Sequence, residues 1–183
     1  ANLGLKLISN YDTQFILGDP PNYEPGKEDS IAALAKSKNI PELEVIYDEF
    51  LKNEGTNLVY ACFTPYENHK LDFVERAYGL KSSVAGGSDG GAHCGLICDA
   101  SMPTTNLSHW ARDREAGKKI PIELIVRKQT KDTAETYGLF DRGEIKTGML
   151  ADLNIIDFEK LNVTHPKMVY DLPLGGRRLI QTS

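Results

Sequence analysis

The sequence holds only three cysteines and one tryptophan in 183 residues. Three cysteines cannot form a disulfide framework for a chain of this size, so a reducing, cytoplasmic setting is the default expectation. No apolar run approaches the roughly 20 residues that span a bilayer, which excludes a membrane-spanning helix as a partner of the lipid. Basic charge is not in excess: 21 Lys and Arg stand against 26 Asp and Glu, for a net charge of -5. That balance argues against nucleic acid as a partner. Residues 1–10 lack the charged, apolar and small-residue order of a signal peptide. There is no internal repeat, coiled coil or low-complexity tract. What remains, 40% hydrophobic and 26% charged residues, is the composition of an ordinary globular protein with one good core and room for a small appendage.

Local signals predict the elements. Stretches 3–9 and 13–17 read as two strands or as one strand and its lead-in, and the Pro- and Gly-rich stretch 18–26 as a loop. Asp29 or Ser30 can cap a helix over 31–38, with Ile31, Leu34 and Ala35 on one face. Pro41 suits a first helical turn, and Leu43, Ile46, Tyr47 and Phe50 recur at helical spacing up to Leu51. Residues 58–63 and 82–86 read as buried strands, with a helix over 68–78 between them. That strand–helix–strand order predicts parallel neighbours. Further helices are expected over 107–116, from Pro121, and from Thr130, followed by a strand over 151–158.

One stretch carries the most chemistry: Ser82-Ser-Val-Ala-Gly-Gly-Ser-Asp-Gly-Gly-Ala-His93. A short apolar run ends in Ser88-Asp89, followed by two glycines and then a histidine. A carboxylate at a strand tip, next to backbone that a ligand can approach, is how α/β barrels expose a catalytic group. The same residues also suit a tight glycine-rich turn with an N-capping Asp89. His93 can bind substrate, steady an oxyanion, or hydrogen-bond a nearby loop. His93-Cys94 with Cys98-Asp99 invites a zinc reading, but a second knuckle is missing, so Cys94 and Cys98 read better as small buried hydrophobes. Asp99, Ser101, Thr104 and Thr105 suit either a site-lining loop or a solvated turn around Pro103. Arg112 and Arg114 can grip a substrate carboxylate, although Asp113 and Glu115 favour a solvated helix face. Tyr23 and Glu24, in the Pro-rich loop, are weaker candidates, and His69 and His165 read as surface residues.

Three further blocks add specificity. Asp141-Arg-Gly-Glu-Ile-Lys-Thr-Gly-Met-Leu-Ala-Asp-Leu-Asn-Ile-Ile-Asp157 gives a "GxI…G…ADLxxxD" pattern downstream of the Ser88-Asp89 pair. The others are Cys98-Asp-Ala-Ser-Met-Pro-Thr-Thr-Asn-Leu-Ser-His-Trp-Ala-Arg-Asp-Arg114 and Asp171-Leu-Pro-Leu-Gly-Gly-Arg-Arg-Leu-Ile-Gln181. Together these motifs resemble the amidohydrolase superfamily, and within it the N-acyl-D-amino-acid deacylases (D-aminoacylases). The resemblance is firmest from about residue 80 onward.

The resemblance implies a metal-dependent hydrolase that cleaves the amide bond of N-acyl amino acids, a C–N bond other than a peptide bond. It implies Asp89 as the acid–base group, with Ser88, Gly91 and His93 as candidate substrate-binding residues. Zinc or another divalent metal would act in the complete enzyme, and Asp89 could also touch it. Family members bind metal through an early His-x-His pair, a bridging Cys or modified Lys, and two later histidines. This sequence has no His-x-His, and His69, His93, His109 and His165 do not fall at such positions. The main ligands are therefore expected upstream, with no metal bound by this chain alone.

The expected fold class is α/β: the last units of a (β/α)8 barrel over 1–149, then a segment over 150–183 returning to a small β-sandwich. A complete barrel takes about 250 residues, so the chain looks like the C-terminal portion of a longer enzyme. Open edges of a partial barrel predict self-association. The alternative is a non-catalytic α/β module that binds a small anion, or an inactive fragment.

Overall fold

Ser30 starts the first helix. Its Oγ accepts a hydrogen bond from Ala33 N at 3.2 Å and donates to Lys27 O at 2.8 Å. One hydroxyl thereby satisfies a donor that a helix start leaves orphaned. Helix α1 runs Ile31–Lys38 and stops at Asn39, whose φ of 54° is the left-handed conformation asparagine tolerates. The computed structural model describes residues 9–62, 66, 68–86, 88 and 95–182. The chain divides into two compact units, Ala1–Phe73 and Val74–Ser183.

In the first unit, strand β1 (Gln14–Leu17) precedes α1, and helix α2 (Glu42–Phe50) and strand β2 (Leu58–Ala61) follow it. β1 and β2 pair antiparallel, with Gln14 opposite Ala61 and Leu17 opposite Leu58. Successive strand residues point to opposite faces, and both faces of β1 are covered. Phe15 packs with Cys62 and Tyr66, while Ile16 lies against Ile31, Ala35 and Val45. Helix α2 is rotated from the expected face. It buries Val45 and Glu49, and leaves Leu43, Tyr47 and Phe50 exposed. Partners for the buried carboxylate permit this: Glu49 pairs with Lys52 Nζ at 2.7 Å and accepts from Asn57 Nδ2 at 2.5 Å.

In the second unit the elements are helix α3 (Asp72–Tyr78, entered from the end of the first unit), α4 (Met102–Thr105), α5 (Ile122–Gln129), α6 (Lys131–Thr136), and strands β3 (Lys167–Leu172) and β4 (Gly176–Ile180). Helix α3 begins later than expected because Asn68 and His69 both take positive φ, 53° and 55°. Helix α4 also begins earlier than expected, and Pro103 sits in its first turn, where its missing N–H costs nothing. It continues into a π-helical stretch, Asn106–Asp113, closed by Arg114 N donating to His109 O at 2.8 Å. The core here contains Trp110, Ile120, Ile125 and Ala134; Val126, expected on the same face as Ile125, is exposed.

Several expectations are corrected. Residues 82–86 form a turn and an irregular stretch, not a strand, and 151–157 are irregular and exposed. An apolar run becomes a strand only where a neighbour supplies a ladder, and among the described residues neither stretch has one. The two ladders of the described residues, β1–β2 and β3–β4, are antiparallel, so the predicted parallel pairing is not among them. The β3–β4 hairpin was not anticipated. Its turn at Pro173–Gly175 places Leu174 and Gly175 at φ 59° and 72°. Asp171 and Arg178 clamp it across the strands at 2.8 and 2.7 Å. The described architecture is thus α/β with two small sheets.

Candidate active site

The segment after α3 bends at Leu80, where Ser83 N donates to Leu80 O at 3.3 Å. The chain then runs to Ser88, which is half-buried. Asp89, Gly91, His93 and Cys94 lie outside the described residues. The chain resumes at Gly95, against which the side chain of Arg177 rests: a Cβ there would stand 3.2 Å from Arg177 Nε. A β4 cation therefore sits beside this glycine, a neighbour that sequence reading did not nominate.

Cys98 is half-buried, and burial, then the Asp99 charge, pushes its thiol up. A neutral thiol is a poor ligand and nucleophile, which agrees with its reading as a small hydrophobe. Ser101 Oγ donates to Gln181 Oε1 at 2.6 Å, and Gln181 Nε2 donates to Thr164 O at 2.6 Å. Thr105 Oγ1 donates to Ser101 O at 3.2 Å, and the Thr104 carbonyl accepts from Ser108 Oγ at 3.0 Å. The stretch is half-buried at Ser101, Thr104 and Thr105 and exposed at Asp99 and Pro103. Gln181 closes the 171–181 block, but nothing in the sequence pairs it with Ser101.

Neither arginine lies on a solvated helix face. Arg112 donates to Asp113 at 2.7 and 2.8 Å, to Leu161 O at 2.6 Å and to Phe158 O. Its guanidinium holds the Asp113 carboxyl below the usual range. Arg114 is 1% exposed, with its guanidinium 4.7 Å from the Trp110 ring centroid and Nη1 donating to Lys118 O at 2.7 Å. A basic side chain is buried here because it stacks on an aromatic face and caps a carbonyl, contacts made by residues its flanking charges do not reveal.

Tyr23 and Glu24 serve the interior of the first unit. The buried Glu24 accepts from Leu71 N at 2.8 Å, and the Tyr23 ring meets Tyr60 edge-on at 5.4 Å. His69 is half-buried, its ring 5.8 Å from that of Tyr66, and His165 is half-buried with Nδ1 2.9 Å from Pro166 O. Both were expected on the surface. An open groove of about 650 Å³ is lined by Ile122, Val126, Arg127, Thr130, Lys131, Gly143 and neighbours, none of them nominated from sequence. Among the described residues no group of three or more His, Cys, Asp or Glu side chains could hold a metal ion. The described residues therefore do not fit a divalent metal centre. No described helix is long and apolar enough to cross a membrane.

The glycine of the "DRGEI" motif has a definite reason. Gly143 sits at φ 92°, and a Cβ there would stand 2.8 Å from the Lys131 Cα. Both conditions exclude a side chain. Leu150 N donates to Asp141 O at 2.7 Å, closing the loop on itself, and Lys131 pairs with Glu144 at 2.5 Å.

A model of the amidohydrolase family matches residues 74–178. The chain belongs to the amidohydrolase family. The match covers more than half of the chain and includes the Ser88-Asp89 stretch, the 98–114 block and the 141–157 block. The family assignment makes this chain part of a superfamily of hydrolases. No curated protein and no solved structure matches the chain.

Proposed function

We propose that this amidohydrolase chain is a portion of a metal-dependent enzyme that hydrolyses the amide bond of N-acyl amino acids, with N-acyl-D-amino acids as the favoured class. The observation that carries the reading is the family match over 74–178 with the Ser88-Asp89-Gly90-Gly91 sequence inside it. In this reading Asp89 accepts a proton from the attacking water as its oxygen bonds to the acyl carbon. It then delivers that proton to the nitrogen as the C–N bond breaks, which is general base followed by general acid catalysis. Ser88, Gly91 and His93 would line the substrate. The ligands of a zinc or other divalent ion would lie outside the described residues, and principally outside this chain.

Residues 1–149 would contribute the later units of a (β/α)8 barrel, and 150–183 the segment that returns to a β-sandwich. Exposed apolar side chains support a covered role for that segment: Leu153 is 63% and Ile155 103% exposed. Surfaces of this kind mark contacts with other polypeptide, so self-association of the isolated chain is part of the proposal. The low cysteine content fits a cytoplasmic setting.

Metal analysis and a deacylase assay test the reading together. The product of the full gene should carry stoichiometric divalent metal and release free amino acid from an N-acyl substrate. The 183-residue chain alone should bind added zinc weakly and release none. Turnover by the isolated chain would overturn the reading of it as a portion, and a full product without metal or hydrolase activity would overturn the enzymatic reading.

A further inference from the structure

Lys128 is the one position in α5 where a charge is almost wholly removed from water: it is 3% exposed. Its Nζ donates to Leu80 O at 2.7 Å and to Ser83 O, and lies 3.4 Å from Ser83 Oγ. Asp132 Oδ2 stands 3.8 Å away on the next turn. An ammonium offers three donors, and both firm bonds go to main-chain carbonyls some 45 residues earlier in the chain. Thr133 Oγ1 donates to Lys128 O at 2.7 Å and comes within 3.4 Å of Ala85 O.

These contacts add to the local turn bonds of this segment, in which Leu80 N donates to Ala77 O at 3.1 Å and Ser83 N and Oγ donate to Leu80 O at 3.3 and 2.9 Å. Among the described residues, 80–86 belong to no helix or strand, so no ladder fixes their course. A barrel enzyme ordinarily fixes the chain entering a catalytic loop through a strand, because backbone carbonyls need partners when removed from water. Here a helix side chain some 45 residues later in the chain supplies two further donors to those carbonyls.

We propose that Lys128 is a positioning residue: its ammonium clamps the main chain at Leu80 and Ser83 and so fixes the course of the chain entering Ser88 for hydrolysis. The inference rests on the reading above that the Ser88-Asp89 pair acts on substrate. Lysine suits the role because a compact ammonium can serve two carbonyls at once from a flexible stem. Methionine matches the stem in length and removes every donor.

Two readouts test it. In the 183-residue chain, hydrogen–deuterium exchange of peptides covering 80–88 is compared with exchange over 102–113 in wild type and Lys128→Met. Exchange over 80–88 should rise at least tenfold in the variant, with 102–113 unchanged. In the holoenzyme assayed with an N-acyl amino acid, Lys128→Met should lower kcat at least tenfold and keep KM within threefold. A misplaced reacting loop costs chemistry rather than ground-state binding. If Lys128→Met does not fold, Lys128→Gln, which keeps one amide donor group on a shorter stem, is read by the same comparisons. Exchange over 80–88 that rises no more than over 102–113, or a kcat that stays at the wild-type value, overturns the proposal. Asp89→Asn in the same holoenzyme separates the two claims: if it retains full activity, the functional reading fails, while the exchange result still decides whether the clamp exists.

Discussion

Ser101 Oγ donates to Gln181 Oε1 at 2.6 Å, joining residues 80 positions apart, and the same amide donates to Thr164 O at 2.6 Å. One side chain therefore ties the residues after Cys98 to the end of β4 and to the stretch before β3. Gln181→Leu conserves volume and removes both bonds. A net hydrogen bond contributes about 0.5–1.5 kcal/mol, so the variant should lose about 1–3 kcal/mol. Urea unfolding reads this as a lower midpoint at unchanged slope. An unchanged midpoint would show that the amide ties nothing.

Gly143→Ala should destabilise the second unit. The residue is left-handed, and a Cβ would press on the Lys131 backbone at 2.8 Å. Backbone is not free to move aside as a flexible side chain is. Left-handed strain alone costs about 1–2 kcal/mol, and the collision adds to it. Thermal unfolding should therefore begin several degrees earlier, whereas Gly138→Ala, at φ 72° with open space around it, should show the conformational cost alone. Equal shifts in the two variants would remove the close-approach argument.

Burial raises the phenol pKa of Tyr60, Tyr66 and Tyr78 above the ordinary value. For Tyr78 it reaches about 12, against a hydrogen bond to Asn106 that pulls it down. For Tyr60 and Tyr66 the next cause after burial is the neighbouring Cys62. A phenol whose pKa is raised by folding favours the folded state below its unfolded pKa of about 10. That stability is lost as pH rises through the folded value, because the unfolded chain releases its proton first. Stability should therefore fall from about pH 10 upward, and tyrosinate absorbance should show a late-ionising class that joins the rest on unfolding. A single tyrosinate transition near pH 10 in the folded protein would contradict the burial of these rings.

The legible parts of the fold are those whose signals are local. Ser30 caps the helix it was expected to cap, and Pro121 stands just before α5. The buried and exposed faces of α2 were not legible, because Glu49 goes inward only through Lys52 and Asn57, which lie beyond the helix. Residues 82–86 have Val84 as their one β-branched side chain, and a strand also depends on a neighbour that local sequence does not specify. The β3–β4 hairpin hid behind a turn with a leucine, Leu174, in a conformation leucine seldom takes. At the site, the Ser88-Asp89 motif stands out in the sequence because it is written in consecutive residues; its role is the one proposed above, and Asp89 lies outside the described residues. Lys128, Arg114 and Gln181 were not, since each acts through carbonyls, rings or hydroxyls brought to it by folding. Sequence alone gives a buried lysine no mark that distinguishes it from a solvated one.

The central claim is that Asp89 carries the proton in an amide hydrolysis. Asp89→Asn keeps the shape of the side chain and removes the acceptor. General acid–base catalysis is typically worth about 100- to 10,000-fold, so kcat of the holoenzyme on an N-acyl amino acid should fall by at least the lower figure. Metal content should change much less, since the principal ligands are proposed to lie elsewhere. Wild-type turnover by Asp89→Asn would contradict the account.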